Sequence, residues 1–483
     1  MQTICDSVKN NDIIVAYGDY DADGLMSIQI VKNAFDLIGY NNIRYYHYIC
    51  RTHSVDKGLL SLSIMSQAKL VIVMDSGTGS LSLLKNLTTR GMKVIIIDHH
   101  DNLDLGFSDF EDAGIILVNS EMDHRINDVD IEVCGAALVY GIINEFMGNN
   151  TDYDPNKFAC LALIAMYADT VNMNTTFAKD LYMKARNRKA LPHCVNMFMD
   201  KKQDFTKRFC EFTFSPKVNA AFRMEKFDII NNLFFGNDRN KESVYLNYIK
   251  QNHLKCKELA GELAEDVECQ EYENLVLVNL SSLLKQKIYT TFIMNNKGLI
   301  ANKICEKYSK AVFCVCNSGT GIVGSFRDLA NRDVLQYMAP LFDAGGHASA
   351  FGFVLRYDEW HFFLRVLDII NRELGSATVA KYKLADVPMY KGINANWAYN
   401  LAFDNEFSSR NNPIKIFKMY FQSAKEYVFE NAFSYGVYDD SGSNLVFITS
   451  NNRLYFPSVQ FVKPYLGLGV KYEVVPKEFT KLL

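Results

Sequence analysis

Acidic and histidine side chains recur in four short segments between residues 19 and 169, and each segment directly follows an apolar run. Carboxylates that are brought close together repel one another unless cations neutralise their charge. Oxygen and imidazole ligands suit Mn²⁺ or Mg²⁺. The pattern therefore predicts a site for two divalent metal ions, formed by Asp19, Asp21 and Asp23 in GDYDADG, Asp75 in VMDSG, Asp98, His99 and His100 in IIIDHH, and Asp169 in YADTV.

The apolar runs before three of these segments predict buried central strands of a parallel sheet. These runs cover residues 12–17, 69–74 and 93–97. In open α/β sheets, ligands bind in the crevice outside the carboxyl ends of the strands. We therefore expect the segments to converge in space although they are far apart in the sequence. The fourth segment, with Asp169, follows a buried helix predicted over residues 158–167.

Strands and helices alternate from Asp12 to about Asn119, which predicts an α/β domain with a parallel sheet. A long connecting helix is predicted over residues 245–267. A second, smaller α/β domain follows, with a strand over residues 289–293 and a Gly-rich turn at Gly345 and Gly346. Short aromatic-rich runs farther on predict a small all-β domain. The expected division is 1–240, 241–270 for the connecting helix, 271–385 and 386–483.

The chain of 483 residues has the composition of an ordinary globular protein, with room for two or three domains. No apolar stretch approaches the roughly 18 to 20 residues of a membrane span, and the N-terminus lacks the pattern of a secretion signal. The 11 cysteines are scattered and odd in number, so they indicate neither a disulfide framework nor a CxxC zinc site. We expect a cytoplasmic protein with no membrane partner.

The net charge of −4 argues against a broadly basic surface for nucleic acid, although it permits a local basic path. One stretch qualifies, residues 179–208, in which nine Lys and Arg residues stand against three Asp residues. It directly follows the Asp169 segment. The stretch is consistent with either a solvated helical face or a path for nucleic acid.

Five segments together resemble the DHH phosphoesterase superfamily with its GGH-bearing second domain: GDYDADG, MDSG, DHH, ADTV, and AGGHASAFG at residues 344–352. Within the superfamily, the chain is most similar to the RecJ single-strand exonucleases. Residues 216–224, PKVNAAFRM, and residues 324–327, GSFR, resemble segments of that group. The resemblance covers most of residues 12–355. It also implies that the C-terminal β domain is of OB type and grips single-stranded nucleic acid.

For the first domain, the resemblance implies hydrolysis of a phosphodiester by water that two metal ions activate. The implied metal ligands are Asp21, Asp23, Asp75, His99 and Asp169, together with Asp19. Asp98 and His100 are the candidate catalytic residues, and His100 would contact the scissile phosphate or position the nucleophile. Tyr17 departs from the pattern, because many superfamily members have a histidine at that position.

For the second domain, the resemblance implies a pocket that captures a terminal 5′ phosphate and sets the polarity of digestion. Arginine offers a bidentate fork to phosphate oxygens, and glycines let backbone amides approach an anion closely. Phe222 stands where the family has a glycine. The implied phosphate-binding residues are Arg223, Ser325, Arg327, Gly345, Gly346 and His347, with Arg51 from a loop that approaches the metal site.

The expected function is a metal-dependent 5′→3′ exonuclease on single-stranded DNA in repair, recombination or replication, acting as a monomer. The sequence does not distinguish DNA from RNA. A single-strand-binding protein or other replication and repair proteins are the expected partners. Two alternatives stay open: a phosphodiesterase for short oligonucleotides or cyclic dinucleotides, and an inactive DNA-binding subunit of a replication complex. The long helix and extra β domain favour a polymer substrate, and the retained carboxylates favour catalysis.

Overall fold

The structure, a computed structural model, describes most of the chain up to residue 375 and a set of strands beyond it. The described residues are 1–47, 55, 59, 62–100, 105–127, 132–185, 191–199, 205, 207–236, 238–285, 287–328 and 332–375, of which 126, 127, 208, 285, 287–289 and 347 are described by backbone alone. The chain forms two compact units, Met1–Ser215 grouped with Tyr382–Leu483, and Pro216–Lys381.

The first unit contains a five-stranded sheet in which every pair of neighbours is parallel. Its strands are β1 Ile13–Gly18, β2 Ile43–His47, β3 Ala68–Met74, β4 Lys93–Asp98 and β5 Ile115–Asn119. They lie in the order β2-β1-β3-β4-β5. Strands β3 and β4 are buried almost throughout, as expected of central strands with helices on both faces. The predicted parallel sheet is confirmed.

Helices cover both faces of this sheet. The helices described in this unit are α1 Gln2–Lys9, α2 Ala22–Leu37, α3 Leu81–Thr88, α4 Phe107–Asp112, α5 Ser120–Asn127, α6 Gly135–Met147, α7 Pro155–Ala168, α8 Thr176–Ala185, α9 His193–Asn196 and α10 Lys207–Phe209. Helix α2 packs against α6 and α7. On the opposite face, Leu84 of α3 and Phe110 of α4 pack with Val15 and Val71. The predicted helix before Asp169 is α7.

The second unit contains a mixed six-stranded sheet. Its strands are β6 Cys269–Glu271, β7 Leu275–Asn279, β8 Ala311–Asn317, β9 Ile322–Arg327, β10 Asp343–His347 and β11 Ala350–Leu355, in the order β10-β11-β9-β8-β7-β6. Only the pair β7–β8 is parallel. The helices are α11 Ser215–Arg223, α12 Phe227–Phe235, α13 Glu242–Asp266, α14 Lys287–Tyr308, α15 Leu335–Met338 and α16 Trp360–Gly375. One sheet face packs on α13 and α14, and the other on α16.

Helix α13 occupies the segment predicted to be a long helix. Its buried residues Ile249, Cys256, Ala260 and Leu263 recur at helical spacing, and most of the others are exposed or half-buried. The helix therefore has one apolar face, which packs in the core of the second unit. Among the described residues, no helix combines the length and apolar character required to cross a membrane.

Two predictions for the second unit are wrong. The strand predicted over residues 289–293 is the first part of helix α14. The β-branched and aromatic side chains there favour a strand locally, but Phe292 and Ile293 are buried against α13 and β8 in the core. The Gly-rich turn predicted at Gly345 and Gly346 is instead strand β10, which pairs with β11 at the edge of the sheet.

Every element described beyond residue 382 is a strand. These are β12 Lys383–Leu384, β13 Lys415–Tyr420, β14 Ala424–Val428, β15 Ser434–Tyr438, β16 Val446–Thr449, β17 Leu454–Tyr455, β18 Lys463–Gly467 and β19 Lys471–Val474. They form a three-stranded set, β12-β13-β19, and a five-stranded sheet, β17-β16-β15-β14-β18. An OB-type barrel here and the fourfold domain division stay predictions.

Candidate metal centre

Each of the five strands in the first sheet leads into a buried polar side chain at its carboxyl end. These side chains are Asp19 after β1, His47 in β2, Asp75 after β3, Asp98 in β4 and Asn119 in β5. Because all five strands are parallel, their carboxyl ends lie along one edge of the sheet. The acidic segments therefore converge as the sequence predicts.

The first acidic segment is fixed by two helix N-termini. Asp21 is the N-cap of α2, and its carboxylate accepts hydrogen bonds from the backbone amides of Asp23 and Gly24 at 2.9 and 3.0 Å. Asp23 lies in the first turn of α2 and accepts from the amides of Gly135 and Ala136, both at 2.8 Å. Both carboxylates thus lie where helix dipoles favour negative charge.

Two glycines allow these elements to approach so closely. A Cβ atom on Gly24 would lie 2.6 Å from the backbone nitrogen of Asp19. One on Gly135 would lie 2.8 Å from the Cβ of Asp75. Neither distance is tolerated between real atoms, so both positions require glycine if Asp19, Asp23 and Asp75 are to meet.

His99 joins the carboxylates that come from three different elements. Its Nε2 lies 3.2 Å from Oδ1 of Asp75, 3.5 Å from Oδ2 of Asp169 and 3.7 Å from Oδ2 of Asp23. Asp75 itself has a φ of 58°, in the left-handed region, and its amide donates to the carbonyl of Ile97 at 2.8 Å. The turn after β3 thus directs this carboxylate toward β4.

The described residues include three groups whose ligand atoms all lie within 4.8 Å of one another. The groups are Asp19, Asp21 and Asp75; Asp23, His99 and Asp169; and Asp75, His99 and His100. Asp75 and His99 each belong to two groups. The three groups therefore form one connected set of oxygen and nitrogen donors, which is the ligand chemistry that Mn²⁺ and Mg²⁺ accept.

The electrostatics of the set also fit a bound cation. Burial raises the pKa of Asp21 to about 7, and its acidic neighbours, Asp19 foremost, add to the increase. Burial likewise raises the pKa of Asp23 and that of Asp75, and for Asp75 the nearby carboxylates add to the effect. Carboxyl groups whose pKa is raised by burial and by neighbouring carboxylates ionise readily when a divalent cation binds between them.

Asp98, which belongs to none of the three groups, pairs with His100. Asp98 is buried and accepts from the amides of Thr78 and His99 at 3.0 and 2.8 Å, and its Oδ1 lies 2.8 Å from Nδ1 of His100. Burial opposes the charge on Asp98, but His100 and the hydrogen bonds outweigh it, and the pKa of Asp98 is lowered. Burial similarly opposes the charge on His100, whereas Asp98 raises the pKa of His100 to about 10.

The sequence interpretation missed Asn119 and His47. Asn119 is fully buried and donates through Nδ2 to the Thr78 hydroxyl and to the His100 carbonyl, both at 2.9 Å. Nδ1 of His47 lies 3.2 Å from the carbonyl of Asp19, and burial lowers the pKa of His47 to about 4. A signal was present, because both residues lie within the region of alternating strands and helices, at the carboxyl ends of β2 and β5, where the crevice forms.

The second unit brings several of the predicted phosphate-binding residues onto neighbouring strands. Nη1 of Arg327 donates to Oγ of Ser325 at 3.0 Å, and Ser325 pairs across β9 and β11 with Gly352. Gly345 pairs with Gly352 from the other side, and His347 is in β10, with only its backbone described.

Arg223 ends helix α11, and its carbonyl accepts from Nδ2 of Asn295 at 3.0 Å. Arg51 lies outside the described residues, as do parts of the basic stretch, including Arg186, Arg188, Lys189, Lys201 and Lys202.

The two departures from the superfamily pattern both lie in packed cores. Tyr17 is buried in the core that contains Val15 and Val71. Phe222 is also buried, and the centroid of its ring lies 5.8 Å from that of the Phe227 ring. The side chain that replaces the family's glycine is thus accommodated by an aromatic neighbour.

Residues 13–166 match the model of the DHH family, N-terminal domain. This range contains the parallel sheet and three of the four acidic segments. The match covers about a third of the chain, and residues 13–166 are therefore similar to the N-terminal domain of the DHH family. The resemblance that the motifs predict is confirmed.

Similar proteins include single-strand exonucleases. The chain is 24% identical over 390 residues to the single-stranded-DNA-specific exonuclease RecJ of Haemophilus influenzae, covering 74% of this chain and 65% of that protein. It is 23% identical over 383 residues to the putative SPbeta prophage-derived single-strand DNA-specific exonuclease YorK of Bacillus subtilis, covering 72% of this chain and 64% of that protein. The chain thus spans a little under two thirds of the length of both relatives.

Solved structures share the fold. RecJ from Thermus thermophilus in complex with Mn²⁺ matches with a TM-score of 0.69 and 15% identity, over 98% of this chain and 70% of that one. The same protein in complex with Mg²⁺ matches with a TM-score of 0.63 and 14% identity, over 97% and 69%. The mixed α/β fold of the described residues is therefore similar to that of RecJ, and those structures contain the metals that the donor set here accepts.

Proposed function

We propose that this chain is a metal-dependent phosphodiesterase, and specifically a 5′→3′ exonuclease that degrades single-stranded DNA. The observation that carries the proposal is the convergence of Asp23, Asp75 and Asp169 on one nitrogen of His99. Such a set has little value as packing, because buried carboxylates without a cation destabilise a fold. The relatives that are named as single-strand-specific exonucleases supply the substrate class.

We assign the binding of two divalent ions, Mn²⁺ or Mg²⁺, to Asp19, Asp21, Asp23, Asp75, His99 and Asp169. Ions bound there supply Lewis acidity and activate water for attack on a phosphodiester. The protein contributes a rigid frame for that chemistry. Strand ends and helix N-termini hold the carboxylates in place before substrate arrives, so little reorganisation is needed during the reaction.

We assign contact with the scissile phosphate to His100. Burial opposes the charge on His100, but Asp98 raises the pKa of the ring and so favours its protonated form, and 34% of the side chain is exposed. A protonated imidazole donates a hydrogen bond to a phosphate oxygen and stabilises the negative charge that grows there. Asp98 fixes the ring through Nδ1, which leaves Nε2 as the donor toward the substrate.

We assign recognition of a terminal 5′ phosphate to the second unit. The residues are Arg223, Ser325, Arg327, Gly345, Gly346 and His347. Arg51, which belongs to the first unit, is proposed separately to contact substrate phosphate near the metal site. The contact between Arg327 and Ser325 supports this assignment, because a guanidinium held by a neighbouring side chain presents its remaining donors in a fixed direction. The strands beyond residue 382 are proposed to form an OB-like domain for single strands.

The test uses the purified protein with Mn²⁺ and three substrates: a long single strand with a 5′ phosphate, the same strand with a 5′ hydroxyl, and a dinucleotide. We expect mononucleotides mainly from the phosphorylated strand. His99→Ala should lose more than the roughly 10- to 100-fold typical of residues that only support metal ligands. His361→Ala, on the exposed side of α16, is the matched control and should stay active.

Cleavage of the dinucleotide alone would replace the exonuclease with an oligonucleotide phosphodiesterase. Binding of the long strand without hydrolysis at any Mn²⁺ concentration would reduce the chain to a DNA-binding subunit. Either outcome would overturn the proposal.

A further inference from the structure

Helix α14 is kinked near its middle, at Asn296. Asn296 has φ −121° and ψ 15°, which is not helical. Its side chain is buried, and Nδ2 donates to the carbonyl of Phe292 at 2.9 Å while Oδ1 accepts from the Cys256 thiol at 3.1 Å. The side chain thus satisfies backbone that the kink would otherwise leave unpaired. The kink is therefore part of the fold.

The residues that flank this kink contact the two arginines of the second unit that are predicted to bind phosphate. On one side, Nδ2 of Asn295 donates to the carbonyl of Arg223. On the other side, a Cβ atom on Gly298 would lie 2.8 Å from Cζ of Arg327, and closer still to Nη2. It would also lie 3.2 Å from Oγ of Ser325. The guanidinium of Arg327 therefore occupies the space that any other residue at position 298 would fill.

The position of the guanidinium is otherwise set from the strand side. Nη1 donates to Oγ of Ser325 at 3.0 Å and to the carbonyl of Phe326 at 2.6 Å. The neighbouring carboxylate of Asp328 accepts from Nε and Nη2 of Arg332 at 2.8 and 3.0 Å. The planar, charged guanidinium of Arg327 therefore lies between strand β9 and the backbone of helix α14 at Gly298.

We propose that Gly298 is a positioning residue that determines specificity for a phosphorylated end. Because Gly298 has no side chain, the guanidinium of Arg327 can lie against helix α14 beside Ser325. The kink at Asn296 places the backbone of Gly298 next to that guanidinium. The inference rests on the proposed function, since it deepens the assignment of the second unit to the terminal phosphate. A methyl group at position 298 would displace the flexible end of Arg327 and leave the backbone in place.

The test compares Gly298→Ala with Gly261→Ala. Gly261 is also inside a helix, α13, but a Cβ there would meet nothing within 4 Å. Alanine favours helix over glycine at both positions, so both variants should fold. Binding of a 5′-phosphorylated and a 5′-hydroxyl single strand is measured by fluorescence anisotropy with a chelator present, which prevents cleavage.

We expect wild type and Gly261→Ala to prefer the phosphorylated strand equally. In Gly298→Ala that preference should fall by about tenfold or more, the loss typical of one charge-assisted hydrogen-bonded pair. Affinity for the hydroxyl strand should be unchanged. Arg327→Gln should lose the same preference, and the double variant should lose no more than either single variant, because both changes act through one contact.

Three outcomes would overturn the inference: an unchanged preference in Gly298→Ala, additive losses in the double variant, or no preference in wild type. Hydrolysis of the long strand by wild type is measured in parallel with Mn²⁺. If hydrolysis occurs and wild type prefers the phosphorylated strand, only the role of Gly298 fails. If hydrolysis occurs without that preference, the assignment of 5′-phosphate recognition to the second unit fails as well. If no strand is hydrolysed, the proposed function itself fails. Circular dichroism melts of all variants keep a loss of fold distinct from a loss of recognition.

Discussion

Asn119 shows how a neutral residue can support the charged ones. Through its side chain it connects three parts of the site: the Thr78 turn after β3, the His100 carbonyl and, by accepting at 2.8 Å, the amide of Met122. Thr78 in turn donates its amide to Asp98. The position of the Asp98–His100 pair therefore depends on a side chain that binds neither metal nor substrate in the proposed mechanism.

We predict that Asn119→Ala lowers the rate of Mn²⁺-dependent hydrolysis by about 10- to 100-fold. This is the range for residues that hold metal-site side chains in place without binding the metal. It should also lower the free energy of unfolding by about 1–3 kcal/mol, because buried hydrogen-bonding groups lose their partner. Rates and thermal melts measure the two effects.

The control is Asn86→Ala, whose side chain makes one exposed hydrogen bond, to the Ser82 carbonyl. It should change neither quantity appreciably. An Asn119→Ala variant with the wild-type rate would show that Asp98 and His100 keep their positions without Asn119.

The convergence of the acidic residues could be predicted from the sequence, because acidic residues after apolar runs indicate strand ends. The supporting contacts could not. Nothing in the sequence indicates that the amides of Gly135 and Ala136 bind Asp23, since those residues are 112 and 113 positions apart from it. The buried strand predicted over residues 12–17 includes Tyr17, but only the paired strands determine on which face of the sheet, and so in which core, its side chain lies.

The N-terminus of α6 is the element on which the metal centre depends most closely. Its first two amides bind Asp23, and its first residue lies against Asp75. Helix and strand can meet this closely only because Gly135 has no side chain. The closeness also explains how one carboxylate from helix α2 and one from the turn after β3 reach the same histidine.

We predict that Gly135→Ala lowers the free energy of unfolding by about 1–3 kcal/mol, because the new methyl group collides with the Cα and Cβ of Asp75. It should also weaken Mn²⁺ binding as α6 moves away from β3. Denaturant unfolding and isothermal titration calorimetry measure the effects.

Gly141 lies in the same helix, and a Cβ there would meet nothing within 4 Å. Gly141→Ala should therefore leave Mn²⁺ affinity unchanged and stabilise the protein by up to about 1 kcal/mol. Equal behaviour of the two variants would refute the close approach of α6 and Asp75.

Element types were predictable wherever the apolar pattern was long. The strands of the first sheet and helices α7 and α13 follow the predicted segments. The errors fall on short segments with conflicting signals. Residues 289–293 have strand-forming side chains inside a helix, and Gly345 and Gly346 form an edge strand despite their preference for turns. In both cases packing and pairing with distant residues override the local preference.

The two units carry different parts of the proposed activity: hydrolysis in the first, recognition of the phosphorylated end in the second. Their chemistry differs accordingly. The first concentrates buried carboxylates around His99, whereas the second presents arginines around a kinked helix. This separation allows each function to be removed by its own substitutions.

We predict that Mn²⁺ stabilises the whole chain, because it binds the folded carboxylate set and relieves the repulsion among buried charges. At a concentration of one hundred times its dissociation constant, the gain is about 2.7 kcal/mol. Thermal melts with chelator and with Mn²⁺ measure it. Asp75→Asn should abolish the shift, and Asp36→Asn, which alters an exposed ion pair with Lys32, should retain it.

The central claim is that the DHH-type metal centre degrades a single strand from its phosphorylated 5′ end. The most direct test follows a long single strand with a ³²P-labelled 5′ phosphate in the presence of Mn²⁺. We predict that labelled mononucleotide is the first product, and that His99→Ala yields none. Label that stays on long fragments while unlabelled nucleotides appear, or label that stays on an intact strand, would contradict the claim.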